Sequence, residues 1–292
     1  MKEADSGWRI ADRGLPEALA PFHTIRYPPS AIRFFLEGFA FWHARLPSWD
    51  VARAVIRGER GAPEATLVRP APTLLAATER RRAPDTVAVA LEVGARACEA
   101  AQRMPRELPS VFASTHGDLA ISDYMCTTLA STPTLISPIK FHNSVHNAAA
   151  GYWSIGTGSS APYTAISAYE YTFAAGLLEA AVQALCERRP ILYVAFDIEA
   201  KGALATVAPS KGILGVAMVI GPERTECSRS FSLQLVADDE PPPTPARSAA
   251  FEHVSGNALA TCFPFVEALA TDEPTGISLA LGKHSTVCVS LS

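Results

Sequence analysis

Hydrophobic and polar positions along this chain alternate between a strand rhythm and a helix rhythm. Residues 31–42, AIRFFLEGFAFW, are aromatic and β-rich and predict a first buried strand. SVFAS at 110–114 predicts a short inner strand that stops at His116, Gly117 and Asp118. ILYVAFD at 191–197 is a continuous apolar run of the kind found in a strand covered on both faces. GILGVAMVIG (212–221) and SFSLQLV (230–236) predict two more strands, and 163–167 another. The tail GISLALGKHSTVCVSLS predicts a hairpin turning at Gly282, Lys283 and His284.

The helical rhythm is expected at 51–57, from Asp85 to about 103, at 121–131 with Ser122 as its cap, at 145–155, at 172–189 and at 257–270. The clearest is 172–189. Phe173, Ala174, Leu177, Leu178, Ala181, Val182, Ala184 and Leu185 cover most of its circumference, which predicts burial on several sides. Arg188 and Arg189 suit its C-terminal dipole and Pro190 ends it. Alternating strands and helices argue for an α/β layered fold with a partly parallel sheet. The expected organisation is an N-terminal extension (1–30), a main domain (31–237), a proline-rich linker (238–250) and a C-terminal helix and hairpin (251–292) completing that domain.

One stretch breaks the pattern. Between Phe141 and Tyr169 there is no Asp, Glu, Lys or Arg, yet Asn, Ser, Thr, His and Gly are plentiful. An uncharged but polar segment of this length belongs inside the protein, lining a cavity or an interface.

Composition changes the picture mainly by exclusion. Of 292 residues, 48% are hydrophobic and 18% charged, a globular composition with few charges, as fits a face buried against a partner. The net charge of −4 and the lack of a basic stripe give no reason to expect nucleic acid. No apolar run is long enough to span a membrane, and the N-terminus has no signal-peptide core. The six cysteines (Cys98, Cys126, Cys186, Cys227, Cys262, Cys288) are scattered, arguing against a disulfide framework or zinc site and for a cytoplasmic setting.

Several groupings invite chemistry. His142 and His146 stand four apart, a spacing that sets two imidazoles on one helix face, but no HExxH or third ligand accompanies them. No metal is expected, and hydrogen-bonded interior roles fit them better, with Asn143 and Asn147 as polar company. Gly156-Thr157-Gly158 is too short for a dinucleotide loop. Ser114, His116 and Asp118 are neighbours in sequence, which does not make a triad; a turn at a strand end is the expected role.

The block SPIKFHNSVHNAAAGYWSIGTG, YTAISAYEYTFAAGLLEAA and ILYVAFD, from Ser137 to Asp197, resembles the thiolase-fold β-ketoacyl synthases. ATERRRAPDTVAVALEV (77–93) and SVFASTHGD (110–118) extend the resemblance. The wording is most similar to chain-length factors found with aryl-polyene and xanthomonadin pigment genes. The resemblance implies a thiolase-like layered fold, a ketosynthase N-terminal half plus a closing hairpin. It places Glu170 where such enzymes carry the nucleophilic cysteine, and no HGTGT-like or GFGG-like motif follows Val219. Condensation by this chain alone is therefore not expected.

Glu170 is open to two readings: a carboxylate capping the following helix, or a group in malonyl- or acyl-thioester decarboxylation or acyl transfer with His142 or His146 beside it. The resemblance further implies a heterodimer with an active ketosynthase. Tyr163, Thr164, Ala165, Ile166 and Ser167 would pair across the two-fold, with Trp153 at the interface. Tyr124, Met125 and Trp153 would wall the acyl pocket. No cofactor is implied beyond a phosphopantetheine thioester on acyl carrier protein, reached through the partner. Arg80, Arg81 and Arg82 would greet that carrier or simply be solvated. A plain carrier-binding module is the remaining alternative.

Overall fold

The computed structural model describes residues 31–65, 69–226, 228–237, 241–271 and 273–292. The extension expected over 1–30, together with Cys227 and Asp238, Asp239 and Glu240 of the linker, lies outside the described residues. Residues 31–292 form one compact unit.

Eight strands make one sheet: β1 (Ile32–His43), β2 (Ser110–Ala113), β3 (Tyr163–Ile166), β4 (Ile191–Asp197), β5 (Leu214–Gly221), β6 (Arg229–Ala237), β7 (Thr275–Gly282) and β8 (Ser285–Leu291). Their order is β3-β2-β4-β5-β1-β6-β8-β7. Only β2 runs parallel to its neighbours, β3 and β4; the other ladders are antiparallel.

Helices cover both faces. α3 (Asp85–Ala100) and α6 (Ala148–Thr157) pack on one; α1 (Trp49–Ile56), α7 (Thr172–Glu187) and α8 (Phe263–Ala270) pack on the other. Strand alternation divides the side chains between two cores. Phe39 and Phe41 of β1 join Tyr193 and Ala195 of β4 under α7, while Ala40 and Trp42 join Leu192, Val194 and Phe196 under α3. Every residue of β4 and β5 is buried, which is why both read as unbroken apolar runs. β4 is nonetheless antiparallel to β5, a mixed setting that its composition does not distinguish.

α7 can lie close to the sheet because Gly176 faces it. A Cβ there would stand 2.6 Å from the Tyr193 ring and 2.9 Å from Ala113 Cβ. Its outer side is not covered: Val182 and Leu185 are exposed, against the expectation of burial all round.

Four other elements differ from expectation. The helix expected over 145–155 is α6, which begins only at Ala148, and a separate short helix not expected, α5 (Pro138–His142), precedes it across a turn. Ser144 Oγ bonds Phe141 O at 2.8 Å, the local side-chain competition that ends helices. α4 (Leu119–Ser131) is capped by Asp118, whose Oδ1 accepts from Ile121 N at 2.9 Å, while Ser122 donates back to Asp118 O. The helix expected at 257–270 begins as a 3-10 turn, Ala258–Cys262, and becomes α8 where Pro264 sits in the first turn and needs no intrahelical donor. A short helix, α2 (Ala77–Arg82), carries the three arginines.

The two sheet ends are treated differently. At the β7 end the proline-rich segment runs alongside: Thr244 N donates to Ser278 O and Ser278 N to Thr244 Oγ1, both at 2.9 Å. At the other end, β3 pairs with β2 alone among the described residues.

Candidate functional site

Parallel strands open a crevice at their carboxyl ends, where connections diverge. Here the ends of β2, β3 and β4 bring Ser114–Thr115–His116, Ser167–Tyr169 and Asp197 together. Asp197 closes an otherwise apolar inner strand and is 1% exposed. Its carboxylate accepts from Ser114 Oγ (2.8 Å), Thr115 N (3.0 Å) and His116 N (3.4 Å). Burial raises its pKa, and the bonds from Thr115 and Ser114 oppose that rise. Ser114 also accepts from Gly117 N at 2.9 Å, so its hydroxyl organises the turn. Asp118, the third member of that sequence cluster, serves α4 instead. The expectation of a strand-end turn matches this geometry.

The next layer is the turn from β3 into α7. Ser167 Oγ donates to Thr115 O at 2.9 Å, tying the turn to the β2 loop. Tyr169 has φ of 52°, a left-handed backbone unusual for a non-glycine residue. Thr172 clamps it: Oγ1 donates to Tyr169 O at 2.6 Å and accepts from Ala168 N at 2.9 Å. The His116 ring meets Tyr169 edge-on with centroids 6.0 Å apart.

Glu170 follows on a single 3-10 turn, exposed, directly before α7. α7 has no side-chain cap, so the capping role read for Glu170 is not the one it takes. The neighbouring Glu170 carboxylate instead raises the Tyr171 phenol above the ordinary tyrosine range. Glu170 and Tyr171 stand at the mouth of a cavity of about 580 Å³ lined by Phe173, Phe251, Pro264 and Leu279 and flanked by the strap residues Pro243 to Ala246. This cavity could accept an apolar chain beside a carboxylate.

The two histidines lie elsewhere. His146 Nε2 meets Ser114 O at 2.9 Å, and His142 stacks edge-on against Tyr152 at 6.1 Å. Because a turn separates α5 from α6, they do not share a helix face, and neither bonds or ion-pairs with Glu170 among the described residues. Among those residues no cluster of His, Cys, Asp or Glu could hold a metal, and no helix is long and apolar enough to cross a membrane.

Trp153 is 1% exposed, wedged over Gly94 with its ring 6.2 Å from Phe112. It is therefore a core residue of this chain, and its expected places at an interface and on a pocket wall are corrected. Tyr124 and Met125 are half-buried on α4. The Tyr124 hydroxyl accepts from Ser137 N at 3.0 Å and Lys140 lies over its ring; neither residue lines the Glu170 cavity. Arg80 donates to Leu75 O, while Arg81 and Arg82 are exposed. Asp197 escaped the sequence reading; the available signal was a lone acid ending a wholly apolar strand.

The layered sheet, and a strained turn leading from β3 into the N-terminus of α7, define a protein of the thiolase-like class. The chain belongs to the β-ketoacyl synthase, N-terminal domain family, whose model matches residues 56–270. No curated protein matches by sequence. Among solved structures it is similar to a ketosynthase (ApeO) in complex with its chain length factor (ApeC) from Xenorhabdus doucetiae, with TM-score 0.67, 20% identity, and 89% of this chain and 99% of that one covered. It is also similar to AntDE:AntF, a type II polyketide synthase acyl-carrier protein in complex with its ketosynthase bound to the hexaketide (0.66, 10%, 90% and 99%). A third is the ishigamide ketosynthase/chain length factor (0.63, 11%, 89% and 99%). At these identities the likeness is one of fold.

Proposed function

We propose that this chain is a chain-length-factor-like subunit that pairs with an active ketosynthase in polyketide- or polyene-type biosynthesis, of the kind that makes aryl-polyene pigments. The observation that carries the reading is the bare edge of β3 set in an apolar surface. Eight of the fourteen exposed large apolar residues fall between 129 and 169: Leu129, Leu135, Ile139, Phe141, Val145, Ile155, Tyr163 and Tyr169. Phe141 is 62% and Ile155 78% exposed. Five of the eight, from Phe141 to Tyr169, lie in the stretch without a charge, and exposed apolar surface of this kind marks an interaction site. Asn147 Nδ2 donates to the Tyr163 hydroxyl at 3.2 Å, linking it to β3.

β3 is positioned to extend a partner's sheet. Ser110 N bonds Pro162 O and Ser114 N bonds Ile166 O, so even-numbered positions face β2. Tyr163 and Ala165 then turn their backbone groups outward. Across such a pairing the partner supplies the cysteine that Glu170 replaces and the contact with acyl carrier protein, while Tyr124 and Met125 border the shared acyl pocket.

The test is co-expression with the ketosynthase encoded nearest to the gene, then size exclusion and a carrier-protein condensation assay with each subunit alone and together. The expected result is a one-to-one complex that elongates only when both subunits are present. Ala165→Pro removes an outward N–H without touching the β2 ladder; it should abolish the complex while circular dichroism stays unchanged. A lone, active homodimer would refute the proposal and return Glu170 to consideration as a catalytic group.

A further inference from the structure

From Ser122 to Ala148 the chain makes an excursion away from both cores. It carries most of α4, a 3-10 turn (Pro133–Leu135) and α5. Thr128 and Asn143 are its only buried residues, and both are polar. Asn143 Oδ1 has no donor among the described residues, so this anchor is itself poorly met. Ile121, Met125 and Leu129 stand four apart on one face of α4. That apolar row is buried at its root, half-buried at its middle and exposed at its end. Leu135, Ile139, Phe141 and Val145 are exposed as well.

Polar ties hold the excursion where apolar packing does not. The Tyr124 hydroxyl accepts from Ser137 N, His146 Nε2 meets Ser114 O, and Asn147 Nδ2 donates to the Tyr163 hydroxyl. None of these three bonds is fully buried. A segment with few buried apolar contacts and solvent-reachable hydrogen bonds opens at little cost in free energy.

Size and charge say what covers it. A stable protein–protein interface needs about 20–30 residues a side, and β3 offers four. The remainder has to come from surface continuous with β3. The excursion is such a surface, since Asn147 reaches Tyr163 at the start of the strand. Only Asp123 and Lys140 carry charge in it. Asp123 packs against Gly202, and the Lys140 ammonium lies over the Tyr124 ring. A face this apolar and this poor in cations offers little to nucleic acid or to an anionic bilayer. It fits an apolar protein surface.

We propose that the 122–148 excursion is a coreless arm that takes its core from the ketosynthase subunit. It closes onto an apolar, uncharged surface beside that subunit's own edge strand. The inference rests on the pairing at β3 proposed above and adds a second, larger contact to it. In the free chain the arm opens readily; in the complex Leu129, Leu135, Ile139, Phe141 and Val145 are covered and it stays closed.

Trypsin reads this directly, because Lys140 is the only Lys or Arg between Arg106 and Arg188. The full chain, alone and in the co-expressed complex, is digested briefly and analysed by mass spectrometry. The cut after Lys140, with Phe141 as the new N-terminus, should appear early in the free chain and at least tenfold more slowly in the complex. Leu135→Ser with Phe141→Ser should weaken the complex tenfold or more, with circular dichroism and Tm unchanged. Leu235→Ser, at an exposed position on β6, should leave the complex intact. A complex in which Lys140 is cut as fast as in the free chain would overturn the arm and leave the β3 pairing standing. Absence of any complex on size exclusion would overturn both. Resistance of Lys140 in the free chain would also overturn the arm, and resistance that grows with that chain's concentration would do so in favour of a second copy.

Discussion

At the scale of single residues, His43 carries a measurable consequence. Its imidazole is lowered from about 6.5 to about 4, chiefly by burial. The unfolded chain therefore takes up a proton before the native state does. The stability His43 contributes is complete above about pH 6.5 and is lost as pH falls toward 4, by up to about 3 kcal/mol at about 1.4 kcal/mol per unit. Urea unfolding of the native sequence and of His43→Gln across this window should show the gap between them changing by that order. Parallel curves would mean the ring is not buried as described. Site residues were only partly legible. Glu170 could be singled out because a motif surrounds it. Asp197 and His43 could not, since what matters about them is burial among distant segments, and no local pattern announces it.

Elements were more legible than residues because periodicity reports burial, and burial forms the sheet. β4 and β5 declare themselves as apolar runs, and α3 and α7 as long amphipathic stretches. The failures fall where local chemistry overrides period: Ser144 closes α5, Asp118 outcompetes Ser122 as a cap, and Pro264 restarts α8. Spacing alone cannot show that α7 leaves Val182 and Leu185 uncovered. Nor can it show that Gly176 sets α7's height above the sheet. Gly176→Ala would gain about 1 kcal/mol of helix propensity. The new methyl, however, would press on a Tyr193 ring held by its own bond to Phe173 O at 2.8 Å. Overpacking of this kind costs about 1–3 kcal/mol, so the net expectation is a loss, read as a lower Tm. A rise in Tm would show that Tyr193 gives way.

For the whole molecule, the contrast between the sheet's two ends is what matters. The Thr244 hydroxyl satisfies Ser278 N–H at the middle of β7. Thr244→Val removes that acceptor and loosens the strap. The variant should sediment as larger species with rising concentration while the native sequence does not. Unchanged sedimentation would show that the strap does not guard this edge. The strapped end was not legible, since the proline-rich segment reads as a surface linker; the β3 end was expected only through the family resemblance, because which strand lies outermost depends on topology.

An open sheet is a polymerising object, since each added copy leaves a fresh edge for the next. Giving one end an internal stopper makes this chain monovalent as a building block. A partner docked on β3, as proposed, would end growth at two members if its far edge is stoppered in the same way. The proline-rich strap thus serves as a chain terminator, letting the molecule keep one sticky strand without the hazard of a fibre.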